Sequence, residues 1–364
     1  MASPERISRN GSGRRTLPVL PIALLVVGAG CDLPTETPWW ETRWKIPGED
    51  TRVGADAFLP DGVTLSGDGD AFLVDLEQAT DFRTLGELCP LCVPLDGQTA
   101  PKPAFEGTME FMGPLPEDLE ETLLEDGVLV LQFEHEFSFD PIRPGATPGS
   151  LEILVWDGAN GGRLLADSTI SGAVDAFPPG ITRRVELQLE PGIMLDGLFV
   201  EIHLDSPEGD PTEIRADDLL DAWFRPEPLR VTSARVQAAA REVTLETTEL
   251  DVGDLDEEIV ERVLEGGADI LLQNPFDVTV DMGLRISGPE TPDLTRELVI
   301  VPGTSTARLD FSGTELRSML GRPNVILEGV GTVREDADPV DLAPQDEVSL
   351  RVTLDLTVRM GAEP

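Results

Sequence analysis

Apolar and polar residues alternate with a period of two over most of this chain. Leu129, Leu131, Phe133, His135, Phe137 and Phe139 fall on one face of residues 128–139. Val185, Leu187 and Leu189 alternate with Glu186, Gln188 and Glu190, and Leu198, Val200, Ile202 and Leu204 with Phe199, Glu201, His203 and Asp205. Phe276, Val278, Val280, Met282, Leu284 and Ile286 form another such run. The longest is Val348, Leu350, Val352, Leu354, Leu356, Val358 and Met360. Successive side chains of a strand point to opposite faces, so this alternation predicts strands with one face buried and one wet, as in antiparallel sheets. Many such strands between Gly/Pro turns predict an all-β fold of two antiparallel β-sandwich domains with a few short helices.

Three stretches carry a helical period instead. Pro116 opens one, with Leu119 and Leu123 on a face and Gly127 as its stop; a second runs from about Asp256 to Glu265 with a Glu258–Arg262 pair at i,i+4. The third starts with Ser312 and Glu315 spaced as a capping box and stops at Gly321 before Pro323. Val63 and Leu65 lead through SGDGD to Phe72, Val74 and Leu76, which reads as a hairpin, with Asp68-Gly69-Asp70 at its tip. The Arg225-Pro226-Glu227-Pro228 stretch reads as a boundary, giving a first sandwich over 51–228, with the hairpin and a Cys-rich loop, and a second over 229–364.

The start of the chain is of another kind. Residues 1–16 carry four arginines against one glutamate, and thirteen uncharged residues from Leu17 to Ala29 lead to Gly30 and Cys31. A basic segment, a short apolar segment and small residues make a secretory signal over 1–30. Thirteen residues with two prolines are too short to cross a hydrocarbon core of about 30 Å. The ending Val27-Gly28-Ala29-Gly30-Cys31 resembles the lipobox of bacterial lipoproteins, with Gly28 where leucine is usual. That resemblance implies that the signal is cut before Cys31, that the Cys31 thiol is diacylated, and that the chain is exported and held to a cell-envelope membrane, inner or outer, by its lipid. Two or more acyl chains give the stable anchoring that one does not. Residues 31–50, rich in proline and charge, read as a tether, and Trp39, Trp40 and Trp44 are expected to dock their indoles on the first domain, with a partner-binding patch as the alternative.

The net charge of −42 becomes −45 when a +3 leader is removed. Such a surface repels phosphate backbones and anionic headgroups, which argues against nucleic-acid binding. It keeps the chain soluble, and divalent cations or basic partners are the ligands it suits. Length alone leads us to expect more than one core.

Cys89-Pro90-Leu91-Cys92 is the one other cysteine pair. It lacks the βαβ setting of a thioredoxin-like motif, and zinc requires about four ligands. A disulfide stapling a loop fits an oxidising compartment best. His135 lies on an apolar face and reads as a core histidine; His203 lies on the wet face beside Glu201 and Asp205. No serine-nucleophile elbow, zinc helix or phosphate loop is present, and we assign no catalytic residue, cofactor or metal.

Two further stretches carry family resemblances. Residues 105–225, closing through Glu213-Ile214-Arg215-Ala216-Asp217-Asp218, resemble jelly-roll modules of the carbohydrate-binding kind, in which exposed aromatics stack on sugars. That makes Trp156 and Trp223 the candidate ligand-binding residues, against the alternative that both fill the core. Ile270-Leu271-Leu272-Gln273-Asn274-Pro275-Phe276, with the Val301-Pro302-Gly303 turn, resembles the late-embryogenesis-abundant type 2 (water-stress) domain, which implies an immunoglobulin-like sandwich over 229–360 and no catalytic residues. The expectation is a non-enzymatic envelope lipoprotein with a structural or binding role, its partner an envelope protein or glycan. Glycan binding by the first sandwich and a carboxylate-based hydrolase are the alternatives.

Overall fold

The computed structural model describes residues 39–361, apart from 160, 161 and 290. The signal over 1–30 and Cys31 lie outside the described residues. Residues 41–360 form one compact unit. It is all-β: five large antiparallel sheets, a small one, and short helices at Leu85–Leu88, Glu257–Glu261 and Gly313–Met319.

Sheet I has the spatial order Leu164–Ser171, Ser150–Asp157, Gly197–Ser206, Phe105–Pro114. Sheet II has the order Arg183–Gln188, Val128–His135, Leu219–Pro226, Ala79–Thr84. Their inner faces meet: Phe111 of sheet I stacks on Phe224 of sheet II at 6.1 Å, and Leu131, Phe133, Ile153, Val155 and Val200 are buried around them. A Cβ on Gly113 would lie 2.9 Å from the Phe224 ring, so a side chain there would push the two sheets apart. Sheet III comprises Gly192–Met194, Leu119–Asp126, Leu229–Val236, Phe72–Val74 and Val63–Leu65, with Val340–Leu342 also pairing on Leu229–Val236. The last two strands of its main order are the expected hairpin, with Val63 opposite Val74.

Sheet IV has the order Trp40–Gly54, Glu347–Met360, Val263–Asn274, Gly303–Ser312. Sheet V has Glu242–Thr244, Val325–Val333, Val280–Gly288 and Thr291–Ile300, with Thr248–Leu250 beside Val325–Val333. Arg296 of sheet V lies over the Phe311 ring of sheet IV at 4.9 Å and pairs with Glu315 at 2.8 Å.

Four expectations are corrected. The helix expected from Pro116 is a strand, Leu119–Asp126, with Leu119, Thr122 and Leu124 buried and Leu123 exposed. Its two flanks are taken by Gly192–Met194 and Leu229–Val236, so sheet pairing overrides a weak helical period. The tether expected over 31–50 overlaps a strand from Trp40 onward, in which Trp44 and Ile46 pack on the core while Trp40, and Trp39 just before it, are exposed. The boundary expected at 225–228 is a crossover between sheets II and III: Glu227 N donates to Val128 O, and the next strand joins sheet III. The later part is also stitched to earlier segments by the Phe58 and Phe276 rings, 4.7 Å apart, and by the Val340–Leu342 strand. The second expected helix is shorter, Glu257–Glu261, because Val263 already belongs to sheet IV.

A candidate binding face on sheet I

The wet face of sheet I is built by register. Met112 stands opposite Phe199, Phe199 opposite Trp156, and Trp156 opposite Leu164. These four apolar side chains therefore form one row across four strands. At about 4.8 Å between strands the row spans about 14 Å. A bulge between Leu164 and Ala166 turns Leu164 outward beside Trp156 while Leu165 is buried. Met112 is 55% exposed, and Phe199, Trp156 and Leu164 are half-buried.

The next rows are polar except for Leu154. Glu110, Glu201, Leu154 and Asp167 are in register, then Thr108, His203, Glu152 and Thr169. Rows on one face lie two residues apart, about 7 Å. His203 Nε2 is 3.3 Å from Glu201 Oε1, and its Nδ1 is 3.3 Å from Thr108 Oγ1.

The four strands of sheet I contain no lysine or arginine. The other large sheets answer their carboxylates with arginines. Arg184 pairs with Glu186 on sheet II, and Arg230 with Glu125 on sheet III. Arg308 pairs with Asp269 on sheet IV and Arg285 with Asp293 on sheet V. Sheet I thus combines an apolar row with carboxylates, Glu110, Glu201 and Asp167 among them, that no lysine or arginine of its own strands answers.

The residues singled out in the sequence are distributed as follows. Trp156 lies in that row, whereas Trp223 lies on sheet II opposite Gln132 and Thr80, so the fold does not bring the two tryptophans together. Neither is fully buried. Cys89 and Cys92 are buried and bonded, Sγ to Sγ 2.09 Å, at the end of the Leu85–Leu88 helix. His135 is buried between the Phe137 and Phe177 rings and its Nε2–H donates to Phe177 O at 2.7 Å. Burial lowers its pKa below the usual 6.5, against the pull of that hydrogen bond. Among the described residues no three His, Cys, Asp or Glu side chains are grouped to hold a metal ion.

Phe199, Met112 and Leu164 were not singled out in the sequence. The available signal was Phe199, an aromatic among the wet-face residues of its strand; the row itself depends on register between strands far apart in sequence.

A separate cleft of about 560 Å³ is lined by Asp61, Asp75, Glu77, Glu117, Asp118 and Arg241, among others. Arg241 pairs with Asp118 at 3.2 Å. The carboxyls that burial raises are Asp218 and Asp221, and neither lines this cleft.

No family model and no curated protein matches the chain. Among solved structures, a candidate secreted protein of Parabacteroides distasonis ATCC 8503 aligns at 12% identity and TM-score 0.31, over 86% of this chain and 99% of that one. A candidate secreted protein of Eubacterium rectale aligns at 11% identity and TM-score 0.21, over 78% and 74%. The infectious bursal disease virus Gx strain structure aligns at 11% identity and TM-score 0.20, over 88% and 72%. Likenesses this distant carry no functional inference.

Proposed function

We propose that this chain is an exported, non-enzymatic cell-envelope lipoprotein, anchored by acyl chains on Cys31, whose β-sandwiches serve a binding or structural role. The observation that carries the reading is the order of basic segment, thirteen uncharged residues and Gly30-Cys31 at the start of the chain. The first described strand begins at Trp40, nine residues after that cysteine. Nine residues reach about 30 Å at most, so the anchor holds the fold close to the bilayer. A net charge of −45 keeps the body from lying flat on anionic headgroups. Two acyl chains on Cys31 would suffice for stable attachment.

The test is metabolic labelling with radioactive palmitate followed by fractionation. Wild type is expected to take up label and sediment with membranes, and Cys31→Ala to lose both properties. A Cys31→Ala protein that still carries label and still sediments contradicts the reading.

Glycan binding by the first sandwich retains one supporting observation, the half-buried Trp156 in a row with Phe199 on an open sheet face. Trp223 no longer contributes to it.

A further inference from the structure

We propose that the wet face of sheet I docks a cationic amphipathic polypeptide segment, with Met112, Phe199, Trp156 and Leu164 as its apolar anchor row and Glu110 and Glu201 as its charge partners. This goes beyond the anchored-lipoprotein reading, because it names a surface and the chemistry of its partner.

Two independent features of the face point to the same occupant. The first is the apolar row. Phe199, Trp156 and Met112 stand on the side of the sheet turned away from the core, on strands whose other faces bury Val200, Val155 and Phe111. Aromatic and methionine side chains presented in a continuous row are the usual anchors of protein recognition sites. A row of about 14 Å matches two to three turns of an amphipathic helix laid across the strands.

The second feature is charge. A wet face with carboxylates is expected of a −42 chain, but sheets II to V each pair some of theirs with arginine. On sheet I the only side chain of basic type is His203, beside Glu201. The row next to the anchors presents Glu110, Glu201 and Asp167. Lysines or arginines flanking an apolar stripe would sit about 7 Å from that stripe, the distance between rows. Such complementarity speeds encounter and selects the partner.

The same chemistry disfavours other occupants. Anionic lipid and nucleic acid are repelled by the carboxylate rows. A small polyamine would meet the charge and leave the apolar row uncovered. A neutral glycan would cover Trp156 and leave the charge unanswered.

The test titrates an amphipathic helical Leu–Lys peptide into the chain from residue 31 onward carrying Cys31→Ser, which lacks the apolar leader and the lipid and so needs no detergent, by calorimetry at about 20 and about 200 mM salt. Wild-type face residues are expected to give saturable binding that weakens with salt. Trp156→Ala combined with Phe199→Ala should weaken it about tenfold or more. Glu110→Gln combined with Glu201→Gln should weaken it and flatten its salt dependence. Trp223→Ala on sheet II and Glu120→Gln on sheet III are the controls and should stay within about twofold. Melting temperatures verify that each variant is folded.

Equal affinity for all variants would show only attraction to the overall charge and would overturn the proposal. So would binding of a neutral oligosaccharide that depends on Trp156, with no binding of the peptide.

Discussion

Lys102 is fully buried, one of only two lysines in the chain. Its ammonium donates to Ser206 O at 2.9 Å, Ser206 Oγ at 2.6 Å and Pro207 O at 2.5 Å, and lies over the Phe105 ring at 4.5 Å. Ser206 Oγ in turn donates to Pro141 O, so one side chain ties together the ends of three loops. Lys102→Met leaves these acceptors without donors and is expected to destabilise the fold by about 2–4 kcal/mol in denaturant titration. Desolvation lowers the Lys102 pKa from 10.5 to about 7, with Asp205 pulling it back. The unfolded chain keeps the lysine protonated up to about 10.5, whereas the native chain releases the proton near 7. Between these values the unfolded state binds more protons, so stability rises with pH relative to Lys102→Met, by at most about 1.4 kcal/mol per pH unit, and is level below 7. Taking the wild-type-minus-variant difference removes the groups common to both chains, such as Lys45 and the α-amino group. A wild-type-minus-variant difference that falls over this range contradicts the assignment. His135 acts on the acid side. Its pKa is lowered by burial, so the unfolded chain takes up a proton first as pH falls below about 6.5 and native stability declines. His135→Leu should remove that component of the acid limb, read as a shallower loss of melting temperature between about pH 6.5 and 5.

At the scale of elements, the strand Leu119–Asp126 separates two readings of one sequence. A helix would bury Leu119 and Leu123 together; the strand buries Leu124 and exposes Leu123. Leu124→Ala is therefore expected to cost about 2–5 kcal/mol and Leu123→Ala about 0.5 kcal/mol or less. The reverse order in a denaturation series would restore the helix. Elements fixed by local chemistry were legible from sequence. The Ser312 capping box forms as read, with Ser312 N donating to Glu315 Oε2 at 2.8 Å and Glu315 N to Ser312 Oγ at 3.3 Å. The turn after Asn274 forms because its buried side chain accepts from Phe276 N and donates to Val278 O. Pairing between distant segments was not legible. Nothing local tells Leu229–Val236 to join sheet III, or Trp40–Gly54 to flank the C-terminal strand. The apolar row on sheet I is of this second kind, because alternation places Trp156 and Phe199 on wet faces but only register sets them side by side.

Over the whole molecule, 69 acidic residues face 27 basic ones. Such a chain repels itself in the compact state, and the repulsion is screened by salt. Melting temperature is expected to rise between about 20 and about 500 mM sodium chloride. A fall over that range would mean that arginine–carboxylate pairs such as Arg351–Asp50 outweigh the general repulsion. This acidic body and the strand that begins nine residues after Cys31 bear on the proposal made above, that lipid on that cysteine holds the chain at a membrane. The most direct measurement is mass spectrometry of the N-terminal peptide of the protein purified from membranes of its own cells. The expected peptide begins at Cys31 and carries the mass of a diacylglyceryl group on its thiol. An unmodified cysteine within an uncleaved or differently cleaved N-terminus would contradict it.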